Sequence, residues 1–241
     1  LGMMTLNDWD HKTVDELWHT AQLNGPPTLN NGLLNGTNVF GEDGDAAQTG
    51  HRFNVSLAES QSYRLRLVNA AVDTHFKFSI DNHTMTVIAA DFVPIEPFTT
   101  DVISIGMGQR YDVVITADQG AVADSFWMRA VPQSACSGNE NPGNIKGIVY
   151  YGAATATPTT TAPDYEDSCE DMDAALLVPR VPQAAGDTDS LNSQVATAGL
   201  NDDGFFRWYL NSTTRIVDWG NPTLLQLDNG QREFEASNAV V

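Results

Sequence analysis

Basic side chains are scarce in this 241-residue sequence. Lys and Arg number 12 against 31 Asp and Glu, which gives a formal net charge of −19. Because phosphate groups are bound by basic surfaces, this charge argues against nucleic acid or an anionic membrane as a partner. No run of about 18 apolar residues occurs either, so the sequence predicts no segment that spans a membrane.

Clustered metal ligands and nucleophile motifs are missing as well. The five histidines are scattered as His11, His19, His51, His75 and His83, with no His-x-His pair. Metal sites need several converging ligands, and close pairs in the sequence are their usual sign, so we predict no metal site in this chain alone. There is also no Gly-x-Ser-x-Gly, no Walker A motif and no GxGxxG.

Only two cysteines are present, Cys136 and Cys169. They bracket a segment rich in Gly, Pro and Thr, where a disulfide would close a loose excursion of the chain. Two free buried thiols are the alternative interpretation of the same pair.

Four Asn-x-Ser/Thr sequons point towards secretion. They lie at Asn35, Asn54, Asn82 and Asn211. Such triplets arise by chance roughly once per hundred or so residues, so four of them suggest N-glycosylation without establishing it. The acidic, Lys-poor composition is compatible with this interpretation, and we expect a secreted, extracellular protein.

What the sequence does contain is a long strand-rich block, Tyr63 to Ile115. Apolar and polar side chains alternate along it in segments rich in Val, Ile, Phe and Tyr, which is typical of half-buried antiparallel strands. Asp81-Asn82-His83 separates two such segments with residues that tolerate a left-handed conformation, so we predict a tight hairpin there. One short helix is predicted after Thr13, because Glu16 has the capping-box spacing.

A Pro/Thr-rich segment, Thr155 to Pro163, is predicted to be an extended linker. An acidic stretch follows it, and Leu176 to Pro182 is predicted to be a connecting strand. Further on, three segments predict the opening strands of a second β-domain: Phe205–Leu210, Arg215–Trp219 and Pro222–Leu227. Such a domain would leave its sheet edge unpaired, so we expect the chain to be an internal piece of a longer protein.

One carboxylate has a placement suited to chemistry. Asp73 lies in the short loop Ala70–Thr74, between two predicted strands. A carboxylate on a loop at a strand end can reach into a cleft as a hydrogen-bond acceptor or general base. On position alone, a simple turn aspartate is the favoured interpretation.

The block from Arg64 to Ile115 resembles the second cupredoxin domain of ascomycete laccases, which are three-domain multicopper oxidases. Its strings HTMTVIAAD and GQRYDVV are the specific part of the match. NDWDHKT at Asn7–Thr13, LLNG at Leu33–Gly36 and the pair Asp218-Trp219 match as well. The resemblance covers essentially the whole chain.

The resemblance implies an all-β, cupredoxin-like Greek-key β-sandwich that is an internal fragment of a three-domain multicopper oxidase. Residues 1–25 would be the end of domain 1 with a connector, and residues 26–153 would be domain 2. Residues 154–190 would be a linker with a disulfide-closed excursion, and residues 191–241 the first strands of domain 3. The Cys136/Cys169 pair matches the disulfide of the second domain.

An activity and a cofactor follow from the same resemblance. Laccases are secreted, glycosylated oxidases that take electrons singly from phenols and reduce O₂ to water. A type 1 copper accepts the electrons and a trinuclear copper cluster reduces oxygen, and their ligands lie in histidine-rich motifs outside this stretch. The expected partners are phenolic small molecules, O₂ and the remaining laccase domains 1 and 3.

Site residues are carried over one by one. The resemblance gives Asp73 the role of substrate-binding acid and proton acceptor beside the type 1 copper. Phe206 and Trp208 fall where the family has aromatic walls of the phenol pocket, and ordinary core aromatics are the alternative. No metal ligand is assigned. Two other functions stay open: a multicopper oxidase of the ferroxidase or bilirubin oxidase type, and a copper-free β-sandwich that acts as a binding module.

Overall fold

The computed structural model describes residues 2–184, 186, 193–214 and 218–234. The chain divides into two compact units. The first unit comprises Leu1–His11 and Thr28–Ala184, and the second comprises Lys12–Pro27 and Ala185–Val241.

The first unit is a sandwich of two β-sheets. Its strands are, in chain order, β1 (Met3–Trp9), β2 (Asn31–Leu34), β3 (Val39–Phe40), β4 (Thr49–Gly50), β5 (Asn54–Leu57), β6 (Ser62–Asn69), β7 (Phe76–Ile80), β8 (Met85–Ala90), β9 (Val93–Thr100), β10 (Ile103–Ile105), β11 (Arg110–Thr116), β12 (Ser125–Pro132) and β13 (Lys146–Tyr151). One sheet has the order β2-β1-β6-β11-β8-β9, and the other has the order β10-β7-β12-β13-β5. β3 and β4 form a separate two-stranded pair.

The core between the sheets is formed by the apolar side chains that alternate with polar ones along the strands. In β6, Leu65 and Leu67 are buried, whereas Arg64 and Arg66 are exposed. β11 alternates in the same way and pairs antiparallel with β6 over its whole length. Since successive side chains of a strand point to opposite faces, one face of this sheet lines the core and the other faces outwards. The predicted strands of this block are confirmed.

The prediction of a hairpin at Asp81-Asn82-His83 is wrong, because the strands before and after it do not pair with each other. A turn does form there, with Asn82 in the left-handed region at φ 61°. However, β7 pairs with β10 and β12, whereas β8 pairs with β11 and β9 in the other sheet. The turn therefore carries the chain from one sheet to the other, because both strands bury side chains in the core between the sheets.

Residues 155–173 contain no regular secondary structure, yet they are anchored to the five-stranded sheet. The Thr160 hydroxyl donates to Asp81 Oδ2 at 2.8 Å, and Ser168 N–H donates to Gln133 Oε1 at 3.2 Å. The disulfide Cys136–Cys169 is formed, with its Cα atoms 6.1 Å apart. Closing a loop of this length stabilises a domain by about 3–4 kcal/mol in the chain-entropy model. We call residues 155–173 the anchored segment.

The predicted strand Leu176–Pro182 is reduced to a single bridge. Ala174–Leu176 form a 3-10 helix, and Pro179 then makes an isolated bridge to Ile95 of β9. Backbone hydrogen bonds from Glu96 N–H to Val178 O and from Arg180 N–H to Pro94 O fix this crossing. The prolines of this stretch lack the N–H donors that a longer ladder needs, so pairing stops after one bridge.

The second unit contains a helix, a hairpin and a second short helix. Helix α1 (Val14–Asn24) begins at Thr13 with the predicted capping box to Glu16, which is confirmed. β14 (Ala196–Leu200) and β15 (Phe206–Leu210) pair antiparallel, and α2 (Thr223–Asp228) follows. In the described part of the chain, no helix has the length and apolar character needed to cross a membrane.

The strand predicted at Pro222–Leu227 is wrong. Pro222 lies at the N-cap of α2, where a proline loses no helical hydrogen bond. Leu224, Leu225, Gln226 and Leu227 are good helix formers and continue it. The strand predicted at Arg215–Trp219 includes residues 215–217, which lie outside the described residues.

Candidate functional site

The loop that carries Asp73 is tied to β1 through the carboxylate of Asp8. Asp8 Oδ2 accepts hydrogen bonds from Asp73 N–H at 2.9 Å and from Thr74 N–H at 3.2 Å. Val72 N–H donates to Asp8 Oδ1 at 3.0 Å, and the Thr74 hydroxyl donates to Oδ2 at 3.1 Å. Asp8 itself is only 8% exposed. The backbone of the loop is thus bound at three consecutive residues to one buried carboxylate.

Asn69 is a second anchor of the loop. The Asn69 side chain is completely buried at the end of β6. Its amide donates to Thr74 O and to Ile105 O, both at 2.9 Å, and its carbonyl oxygen accepts from Ala71 N–H at 2.9 Å. Charged and buried hydrogen bonds of this kind rigidify a loop, so the Asp73 side chain is presented from a fixed backbone.

The Asp73 carboxyl is half-buried and its pKa is raised. Burial is the main cause, because removing a carboxylate from water disfavours its charged form. The negative charge of Asp8 raises the pKa further. A carboxylate with a raised pKa is a stronger proton acceptor, and it becomes protonated at a higher pH than an ordinary aspartate as the pH falls. Asp73 is therefore suited to accept a proton.

Phe206 and Trp208 lie together in the second unit. Both belong to β15, and their rings meet edge to face with centroids 5.7 Å apart. They line a cavity of about 430 Å³. Trp18, Gly25, Pro26 and Trp219 are further lining residues. A cavity of this size with aromatic walls suits a flat aromatic ligand. The cavity residues all belong to the second unit, whereas Asp73, the other predicted site residue, belongs to the first unit.

Helix α1 also contributes to this cavity, which the sequence did not predict. Trp18 lies on α1, and Gly25 and Pro26 directly follow that helix. Gly25 has φ +89°, and a Cβ placed there would lie 3.2 Å from Phe206 Cε2. Only glycine adopts this conformation readily and allows so close an approach of an aromatic ring. No local sequence signal connects Gly25 with a strand about 180 residues further on.

The histidines of the described residues occupy separate positions. No group of three or more His, Cys, Asp or Glu side chains within the described ranges is placed to hold a metal ion. His83 is buried, with Nδ1 against Asp81 O at 2.8 Å and Nε2 against the Tyr151 hydroxyl at 2.6 Å. Burial lowers the pKa of His83, which favours the neutral form of its ring, and both ring nitrogens already have partners within the protein. These residues do not fit a copper centre.

The four sequons differ in their surroundings. Asn54, Asn82 and Asn211 are exposed. Asn35 is half-buried, and its side chain bridges to β1 by accepting from Thr5 N–H at 2.8 Å and donating to Met3 O at 3.2 Å. Asn211 also makes a side-chain contact, because its Oδ1 accepts from Val195 N–H at 2.9 Å. Exposure is thus what distinguishes the three asparagines from Asn35 as candidates for a glycan.

Comparison with known proteins gives the family. A family model described as multicopper oxidase matches residues 2–154. Laccase-2 of Botryotinia fuckeliana is 40% identical over 246 residues, which cover 100% of this chain and 42% of that protein. Laccase-1 of Melanocarpus albomyces is 35% identical, with coverage of 100% and 38%. The chain thus spans less than half the length of these relatives.

Solved structures agree with this assignment. The crystal structure of a laccase from Botrytis aclada matches with a TM-score of 0.88 and 40% identity, over 100% of this chain and 45% of that chain. Fet3p, a multicopper oxidase that functions in iron import, matches with a TM-score of 0.73 at 21% identity, over 89% and 39%. The second likeness supports the fold alone. The all-β, cupredoxin-like sandwich predicted from the sequence is confirmed, and this chain belongs to the multicopper oxidase family.

Proposed function

We propose that the full-length protein that contains this chain is a laccase-type oxidase. It would take single electrons from phenols and pass four of them to O₂, which is reduced to water. The observation that carries this proposal is the half-buried Asp73 carboxyl with its raised pKa. Whole-chain similarity to proteins named laccases supports the choice of reaction.

Asp73 would act on the proton of the substrate. Removing an electron from a phenol makes its hydroxyl strongly acidic, so the O–H bond breaks as the phenoxyl radical forms. The Asp73 carboxylate accepts that proton, which lowers the barrier to oxidation. The proton returns to water when the carboxyl re-ionises. Phe206 and Trp208 are proposed to bind the aromatic ring of the substrate through their faces.

Copper is the cofactor of this family and supplies the electron transfer and the chemistry of oxygen. The described residues hold no ligand set for it. We therefore assign this chain only the proton-accepting and substrate-binding groups. The copper ligands are proposed to lie in the parts of laccase domains 1 and 3 that this chain does not contain. Within the chain, we propose that residues 1–25 are the end of domain 1 with a connector and that residues 26–153 are domain 2. Residues 154–190 would be the linker with its disulfide-closed excursion, and residues 191–241 the first strands of domain 3. A secreted, extracellular glycoprotein with glycans at the exposed sequons completes the proposal.

The candidate functions are distinguished by the rates at which the purified full-length protein oxidises a phenol and ferrous ion. We expect the phenol to be oxidised with consumption of one O₂ for every four electrons removed. Faster oxidation of ferrous ion, with little turnover of phenols, would instead indicate a ferroxidase. A protein that contains no copper and oxidises neither substrate would contradict the proposal and leave a binding module.

The close packing of Gly25 against Phe206 leads to a prediction about the aromatic cavity. Gly25→Ala places a Cβ 3.2–3.3 Å from three atoms of the Phe206 ring, so the ring must shift. We expect KM for phenols to rise by roughly fivefold to tenfold, since a misplaced wall removes about 1 kcal/mol or more of binding. Steady-state kinetics of the full-length variant measures this change.

Gly204→Ala is the matched control for this variant. Gly204 also has a positive φ, of +79°, but a Cβ there meets no atom within 4 Å. Both substitutions therefore strain the backbone, and only Gly25→Ala also crowds the cavity. Equal KM values for the two variants would show that this cavity does not bind the substrate.

A further inference from the structure

We propose that Asp8 is a positioning residue for Asp73. Its carboxylate fixes the loop between β6 and β7 in the conformation that presents the Asp73 side chain to the substrate. This inference rests on the proposed role of Asp73 as proton acceptor. It gives a function to a buried acidic residue that is 65 positions away in the sequence.

The sheet register brings Asp8 to this loop. β1 pairs parallel with β6, and Leu6 lies opposite Asn69, the last residue of β6. The following residue, Ala70, donates its N–H to Leu6 O at 2.8 Å, so the chain leaves the sheet directly beside β1. Asp8 lies two residues beyond Leu6, on the same face of β1. Its side chain therefore meets the loop just after the loop begins.

Backbone N–H groups and a hydroxyl of the loop satisfy the hydrogen-bonding capacity of the Asp8 carboxylate. Three consecutive N–H groups, from Val72, Asp73 and Thr74, point to it, together with the Thr74 hydroxyl. Successive N–H groups of this kind form a concave anion site in the backbone. The loop conformation and the charge of Asp8 thus depend on each other.

The two carboxyl groups have different tasks because their surroundings differ. Asp8 is buried and accepts four donors, so its hydrogen-bonding capacity is used within the protein. Asp73 takes part in this network through its backbone N–H, and its carboxyl remains half-exposed. The charge of Asp8 also disfavours ionisation of Asp73 and so makes Asp73 a stronger base.

Asp8→Asn in the full-length protein tests this inference. The asparagine keeps the size of the side chain but loses the charge, and its NH₂ group would face the N–H donors of the loop. We expect kcat/KM for a phenol to fall roughly tenfold or more, because a small displacement of a catalytic group has effects of this order. The value for a non-phenolic one-electron donor should stay within about twofold, since that donor releases no proton.

Two further readouts separate positioning from a general loss of stability. The acidic limb of the phenol pH profile should move to lower pH in Asp8→Asn, because removing a negative charge lowers the pKa of Asp73. Amide hydrogen exchange should become faster at Val72, Asp73 and Thr74. An unchanged ratio of phenol to non-phenolic turnover, with an unmoved pH profile, would overturn the inference.

Asp73→Asn, assayed beside Asp8→Asn, keeps the two proposals distinguishable. If Asp73→Asn does not separate phenols from non-phenolic donors, the proposed function fails. If Asp73→Asn separates them and Asp8→Asn does not, only the role of Asp8 fails. Should Asp8→Asn not fold, Thr74→Val removes one donor to Asp8 from a residue that is 1% exposed. We then expect a loss of several-fold on phenols alone, and no change would overturn the inference.

Discussion

Replacing Asp73 with Asn is expected to lower kcat/KM for phenols by about a hundredfold or more. General bases contribute roughly 10²–10⁴ to a rate, and an amide of the same size does not accept the phenolic proton. The oxidation of a non-phenolic one-electron donor should stay within about twofold, because it involves no proton transfer to Asp73. Steady-state kinetics of the full-length protein with both substrate types measures the difference.

Asp101→Asn is the control for this experiment. Asp101 is an exposed carboxylate on the loop between β9 and β10, where it accepts a hydrogen bond from the Thr84 hydroxyl. Its replacement should leave both substrate types unaffected. An equal loss on phenols and non-phenolic donors in Asp73→Asn would contradict the role of proton acceptor, since it would indicate a defect in folding or in electron transfer.

Replacing Arg129 with Met is expected to lower the free energy of unfolding by about 3–5 kcal/mol. Asp81 is completely buried, and Arg129 binds it through two hydrogen bonds of 2.7 and 2.8 Å. Removing the guanidinium leaves the buried Asp81 carboxylate without its ion-pair partner, and among the described residues only the Thr160 hydroxyl still donates to it. Arg129 also donates to Thr160 O at 3.2 Å, so the anchored segment loses one of its contacts. Denaturant-induced unfolding, followed by a probe within this unit, measures the change.

Arg64→Met provides the comparison at the surface. Arg64 pairs with Asp112, and its side chain is 51% exposed. Exposed ion pairs contribute about 0–1 kcal/mol, so this variant should unfold nearly as the wild type does. The contradicting result is an equal loss of stability in Arg129→Met and Arg64→Met. It would mean that the buried Arg129–Asp81 pair does not stabilise the contacts among β7, β12 and the anchored segment.

The sequence predicted the strands better than their partners. Alternation in β6 and β11 follows directly from which side chains meet the core, so these strands were recognised. The turn at Asn82 was also recognised, but turn residues specify a local conformation and do not decide which strands pair. The wrong strand at Pro222–Leu227 has the same origin, because a short apolar run fits either a helix or a strand.

Long-range contacts account for what the sequence did not reveal. The composition of residues 155–173 indicated that they lack regular secondary structure. It could not indicate that they are anchored, because the hydrogen bond from Thr160 to Asp81 joins residues 79 positions apart. The position of Asp73 in a loop at a strand end, together with the family resemblance, predicts a role for its carboxylate. The sequence does not predict a role for Asp8, because Asp8 reaches this loop only when β1 and β6 pair in parallel.

The pH dependence of kcat/KM for a phenol, compared between wild type and Asp73→Asn, tests the central claim most directly. This parameter reports ionisations of the free enzyme and substrate. We expect the wild-type value to decline on the acidic side with an apparent pKa above the usual range of an aspartate, because burial and Asp8 raise the pKa of Asp73. The variant should lack that decline. The same acidic limb in both proteins would contradict the assignment of Asp73 as the proton acceptor.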